Sequence, residues 1–199
     1  MVEVVAPPTK TELRAAFIRE RLALPQQVRD AEVQALCRWL PELVTAGQTA
    51  CAYVPVGSEP GSTALLDTLL EIGVRVLLPV ARNEADGTAA PLQWGAYRSG
   101  SLVDAAFGLR EPPPPWLPTH AAAAAAVILV PALAVDRSGA RLGRGAGFYD
   151  RTLRAAAPGA RLVAVVRDDE LVAELPTEPH DVPMTHALTP NGGIVALGH

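Results

Sequence analysis

The chain has 199 residues, 49% of them hydrophobic, and a formal net charge of −4. That length suits one domain, residues 1–199, whose core needs neither disulfides nor a structural metal. The acidic balance argues against a broad nucleic-acid-binding surface. Two cysteines, Cys37 and Cys51, lack the spacing of a zinc site or a disulfide framework and read as small core residues.

The opening segment is too short and too acidic for a signal peptide. Thr9 and Glu12 form a T-x-x-E capping box, which predicts a helix starting near Lys10. Leu13, Phe17 and Leu24 give that helix its apolar stripe, and Pro25 ends it. A second helix is predicted over 26–40, where Val33, Leu36, Cys37 and Leu40 recur at helical spacing. Residues 49–54 read as a strand. Ser62 can cap a helix running to Leu70, stopped by Gly73. Residues 74–78 form the next strand, closed by Pro79.

Residues 82–120 are irregular, with a short strand expected around 92–94 and a rigid loop at the four prolines 112–115. Trp94 and Trp116 lie in this stretch, and a core role is favoured for both over a place in a ligand pocket. The apolar stretch 121–135 falls short of the roughly 20 residues that span a bilayer. It reads as a lead into a buried strand at 127–130. A glycine loop, a helix over 149–157 and a strand over 161–166 follow. Continuous apolar strands alternating with helices predict a single three-layer α/β domain with a mainly parallel sheet flanked by helices. The absence of targeting and spanning signals predicts a cytoplasmic protein with no membrane or nucleic-acid partner, and a monomer is expected.

The densest chemistry lies at 131–151, PALAVDRSGARLGRGAGFYDR. Glycines between a strand and a helix let backbone N–H groups approach an anion, and the helix dipole favours negative charge there. Arg141 and Arg144 can fork onto phosphate or carboxylate oxygens. Asp150 can hold a magnesium ion bridging phosphates. The spacing is neither GxxxxGK[ST] nor GxGxxG, and such glycines can also serve the turn alone. Ligands of parallel sheets gather at the carboxyl ends of the strands. Glu59 and the glycine loop follow two such ends, so a shared crevice is expected.

This run resembles the signature of the 5-formyltetrahydrofolate cyclo-ligase family. Weaker matches occur in the family's order at Lys10-Thr11-Glu12-Leu13-Arg14, Glu59-Pro60-Gly61, Gly108-Leu109-Arg110-Glu111-Pro112 and Pro179-His180-Asp181. The resemblance spans most of the chain. It implies an ATP- and Mg2+-dependent enzyme that closes 5-formyltetrahydrofolate to 5,10-methenyltetrahydrofolate, releasing ADP and phosphate after phosphorylation of the formyl oxygen. ATP would bind at Lys10, Thr11, Glu12, Leu13 and Arg14 and along Arg141, Leu142, Gly143, Arg144, Gly145, Ala146, Gly147, Phe148 and Tyr149. The reduced folate would meet Glu59, Arg144, Gly145, Ala146, Gly147 and Phe148. Arg144 and Tyr149 would act in catalysis, and Asp150 and Asp181 would ligate the metal.

The chain departs from the family at three places. A second substrate-binding acid after Glu59 has no counterpart in Gly61-Ser62-Thr63-Ala64. Phe148 stands where tyrosine is more common. Residues 182–186 lack an acid expected after Asp181, and His186 reads as a structural or surface residue. Two alternatives remain at this level: a non-catalytic paralogue that binds folate or nucleotide, and an enzyme on a related α/β scaffold acting on a sugar phosphate or acyl-CoA.

Overall fold

The computed structural model describes residues 8–198; much of the opening segment read above as no signal peptide lies outside the described residues. The capping box forms as expected. Glu12 donates its N–H to the Thr9 hydroxyl at 3.3 Å, and the Glu12 carboxylate accepts the Thr9 N–H at 2.8 Å. It opens helix α1 (Lys10–Ala23), and α2 (Gln26–Leu43) follows Pro25. The second helix outruns its expected end and includes Pro41. Leu36, Leu40 and Leu43 are all fully buried, and this packing outweighs the cost of proline in the last turn.

Seven strands build the main sheet: β1 (Thr49–Cys51), β2 (Arg75–Val80), β3 (Gln93–Ala96), β4 (Ala125–Pro131), β5 (Arg161–Val165), β6 (His186–Thr189) and β7 (Gly193–Ala196). Their spatial order is β7-β6-β5-β4-β1-β2-β3. The five inner strands are parallel, and both edges are antiparallel. From β1 the chain moves outward to β2; from β4 it moves the other way to β5. The boundary between β1 and β4 is therefore a topological switch point, where an open α/β sheet leaves a crevice.

Helix α3 (Thr63–Glu71) makes the first crossover, with the Ser62 hydroxyl accepting the Ala64 N–H at 3.1 Å. The strand expected to close at Pro79 continues through it to Val80. Trp94, the partner of Pro79, turns its own N–H and C=O away to Leu117. A ladder hydrogen bond is not needed from the proline there. The β6–β7 hairpin is an element that the sequence reading did not resolve.

Side chains alternate across the sheet. Val127 and Leu129 of β4 join one core with α2 and α3, while Ile128 and Val130 join the core on the opposite face. Burial on both faces is why the strand reads as a continuous apolar run. Trp94 and Cys51 are fully buried in the second core, and Cys37 packs beside the first. Helix α4 (Phe148–Thr152) is shorter than expected and passes into a 3-10 turn, Leu153–Ala155. Pro158-Gly159 follows closely and disfavours further helix.

Helix α1 does not cover the main sheet. Its Leu13, Phe17 and Ile18 pack on a third cluster containing Leu133, Ala134, Ala140, Leu142 and Leu175. This cluster belongs to a small sheet of Leu171–Val172, Ala134–Asp136 and Arg141–Leu142. The glycine loop leaves the second strand of the antiparallel pair in that sheet, which serves as its stem. Packing α1 on the stem brings the first turn of the helix to the loop.

Candidate active site

Three segments converge on the carboxyl ends of β1 and β4. From α1, Arg14 Nε donates to the Gly143 carbonyl at 2.9 Å, and Lys10 Nζ donates to Asp181 Oδ2 at 2.8 Å. From the loop after β1, Glu59 accepts the Val56 N–H at 2.9 Å and pairs with Arg144 Nε at 3.0 Å. From the glycine loop, Arg141 Nη2 donates to Asp150 Oδ1 at 2.6 Å. Gly145 sits at φ +96°, where a side chain is strained. A Cβ there would meet the Arg14 guanidinium at 3.5 Å.

These segments enclose a cavity of about 480 Å³. Lys10, Arg14, Glu59, Arg141, Gly143, Arg144, Gly145, Ala146, Gly147, Phe148, Tyr149, Asp150 and Asp181 all line it. The crevice expected between Glu59 and the glycine loop is thus present.

Four expected residues have other positions. Thr11 is exposed, Glu12 is engaged in the capping box, Leu13 packs in the third cluster, and Leu142 is buried there. A helix presents one residue in three or four to a given side, so a contiguous stretch cannot all face the cavity. The two proposed metal acids are not brought into one cluster. Asp181 groups with Glu178 and His180, with ligand atoms within 4.8 Å of one another, while Asp150 engages Arg141. Trp94 and Trp116 do not line the cavity. Trp116 instead carries Arg82 over its ring at 4.5 Å.

Burial shapes the electrostatics. It pushes the Glu59 carboxyl above the usual carboxylate range, against the pull of the Val56 N–H and of Arg144. It pushes the Tyr149 phenol up strongly, and the Glu59 charge adds to this. Tyr149 is therefore a neutral donor, and its buried hydroxyl has no hydrogen-bond partner among the described residues. For Asp181 burial works upward, yet the Lys10 ammonium and the Glu178 N–H leave its carboxyl below the usual range.

The structure adds residues that sequence reasoning missed. Tyr53 lines the cavity and donates to the Pro60 carbonyl at 2.6 Å. Arg21 also lines it, although only 1% exposed, and is held by Glu170. A signal for Arg21 was available: Lys10, Arg14, Phe17 and Arg21 fall on one helical face, so a cation interrupts an inward stripe.

Fold and cavity together define an α/β protein with a basic, glycine-lined cavity at the switch point of its sheet. The sequence model of the 5-formyltetrahydrofolate cyclo-ligase family matches residues 6–190, and the chain belongs to that family. A 5-formyltetrahydrofolate cyclo-ligase of Mycolicibacterium smegmatis is 67% identical over 97% of this chain and 100% of that protein. One of Escherichia coli K12 is 30% identical over 87% and 95%. Among solved structures, Aquifex aeolicus 5,10-methenyltetrahydrofolate synthetase shares the fold with a TM-score of 0.76 at 24% identity, covering 96% of this chain and 93% of that one. A 5,10-methenyltetrahydrofolate synthetase of Mycoplasma pneumoniae gives 0.68 at 17% identity, with 89% and 96% covered.

Proposed function

We propose that this protein closes 5-formyltetrahydrofolate to 5,10-methenyltetrahydrofolate at the expense of ATP. The observation that carries the reading is the convergence of Lys10, Arg14, Arg141 and Arg144 on the glycine loop, opposite a buried carboxylate at Glu59. The cationic side holds phosphates. The carboxylate accepts hydrogen bonds from the amino and ring N–H donors of a pterin.

The chemistry needs little more than this. A formamide oxygen is a poor leaving group. Transfer of the γ-phosphoryl to it makes a good one, and ADP departs. The N10 nitrogen of the folate attacks the formyl carbon and loses its proton, and the C–O bond then breaks to release phosphate. The protein positions the reactants and neutralises charge. Arg144 is half exposed and bridges the two sides through Glu59, so it can move between that carboxylate and a phosphoryl oxygen. Arg141 is fixed by Asp150 and has a buried Nε without a partner among the described residues, which leaves it donor capacity for an anion. Tyr149 stays protonated beside them and can donate.

The carboxylates of Asp150 and Asp181 suit a hard divalent cation, and each now engages a basic side chain. The two acids are not clustered, so a magnesium ion would be held by one of them together with phosphate oxygens, and it would neutralise phosphate charge. The basic partner of that acid, Arg141 for Asp150 or Lys10 for Asp181, would be free to turn toward the phosphates.

The test is optical. Purified protein should generate the near-ultraviolet absorbance of methenyltetrahydrofolate only when ATP, magnesium and 5-formyltetrahydrofolate are all present. No absorbance with all three would reject the reading.

A further inference from the structure

Arg21 has no part in the steps above, yet it lies at the cavity. Its Nε and Nη2 donate to Glu170 at 2.6 and 2.7 Å, and Nη2 also donates to the Ala132 carbonyl at 2.6 Å. Glu170 is held in turn by the Arg167 N–H at 2.7 Å. Arg167 continues the network to Glu32 at 2.9 Å and to the Ser58 carbonyl at 3.3 Å, next to Glu59. Every donor of the Arg21 fork is committed on that edge. The opposite nitrogen, Nη1, is buried and has no partner among the described residues. A guanidinium N–H sealed from water without an acceptor is costly, and native proteins rarely leave one. Arg21, Tyr53 and Glu59 all line the cavity.

We propose that Arg21 reads the pterin ring: its Nη1 donates to the 4-oxo group beside the donor edge accepted by Glu59. The inference rests on the folate reading above and adds a specificity residue to it. A pterin edge presents two donors and then an acceptor. Glu59 offers the acceptors, and Arg21 offers the donor that completes the set. A guanidinium can neither accept a hydrogen bond nor lose its proton in a protein. A 4-amino pterin would therefore aim N–H at N–H. The Glu170 and Ala132 contacts prevent Arg21 from swinging aside. The Tyr149 hydroxyl is also buried, but it can rotate to donate or accept and does not discriminate.

The experiment is calorimetry without ATP, using 5-formyltetrahydrofolate and its 4-amino-4-deoxy analogue. The wild-type protein should prefer the 4-oxo compound by at least about tenfold. Arg21→Lys keeps a positive charge beside Glu170 but supplies no second donor edge, and the preference should fall at least several-fold; the remainder belongs to Glu59, because the 4-amino compound also lacks the N3–H. A double variant, Arg21→Met with Glu170→Met, removes this buried ion pair and should give the same fall if the lysine variant folds poorly. Equal wild-type affinity for the two compounds overturns the proposal, as does an unchanged preference in a folded variant. Failure of the folate reading has a different signature: neither compound binds the wild-type protein, and the proposal falls with it.

Discussion

Arg144 and Glu59 join the two halves of the cavity, with Nε 3.0 Å from Oε1. One residue comes from the loop after β4 and its hairpin, the other from the loop after β1, so the pair spans the switch point. Arg144 is 48% exposed at its side chain, whereas Glu59 is 10% exposed. An exposed ion-pair partner contributes little to stability. The contact thus reads as a poised arrangement more than a brace.

Arg144→Ala should therefore impair turnover more than folding. Loss of a charge-assisted phosphate contact should cost about 1.5–3 kcal/mol in kcat/KM. Unfolding free energy should change by less than about 1 kcal/mol. Steady-state kinetics and a thermal melt on the same sample check this. A large fall in Tm with wild-type specific activity would make Arg144 structural.

Glu59→Gln should weaken folate binding by roughly tenfold to a hundredfold and leave ATP binding nearly intact. The amide removes a charge and turns a donor toward the pterin donors. The pH behaviour has a definite sign. Burial raises the folded-state carboxyl above its ordinary value. Its contribution to stability is then present below the unfolded value and lost as pH rises through the folded one. At neutral pH the glutamine variant should be at least as stable as wild type. Wild-type folate affinity should fall on acidification at a higher pH than an ordinary carboxylate would dictate, and the variant should lack that limb. Calorimetry across pH with each ligand separates these outcomes.

Asp150→Asn should raise the magnesium concentration needed for activity, because the amide keeps the size but loses the charge that holds a hard cation. It also frees Arg141, so ATP affinity without magnesium should not fall. Asp181→Asn should show a different cost. The folded-state carboxyl lies below its ordinary value, so its contribution is present above the unfolded value and lost as pH falls through the folded one. The variant should lose a small part of wild-type stability at neutral pH and match it in acid. Magnesium titrations and melts at two pH values check both.

Two glycine substitutions should separate folding from function. At Gly139, φ +94°, an added Cβ would lie 2.3 Å from the Met184 carbonyl oxygen. Backbone cannot yield there, so Gly139→Ala should destabilise by more than about 1–3 kcal/mol. At Gly145 the same carbon meets only the Arg14 guanidinium, at 3.5 Å. Gly145→Ala should cost about 1 kcal/mol of stability from its positive φ but lower ATP affinity markedly, since the loop must approach phosphates. Equal effects on stability would refute the distinction.

The pattern of apolar residues was enough to read the helices and most inner strands. Val127 to Val130 are buried on alternating faces of the sheet, and that two-sided burial leaves an unbroken apolar run in the sequence. Thr9, Glu12 and Ser62 declared their helix starts because capping is a local hydrogen-bond problem. The glycine loop declared itself through composition. What sequence could not supply was anything set by contact between distant segments. The end of α2 was decided by burial of Leu43, and the strand through Pro79 by the partner it found in Trp94. The pairing of Asp181 with Lys10 and the placing of Arg21 against Glu170 arise from the docking of α1. Local propensity and periodicity are written into neighbouring residues, whereas the partner of a buried charge depends on which surfaces pack together, and only the folded chain determines that.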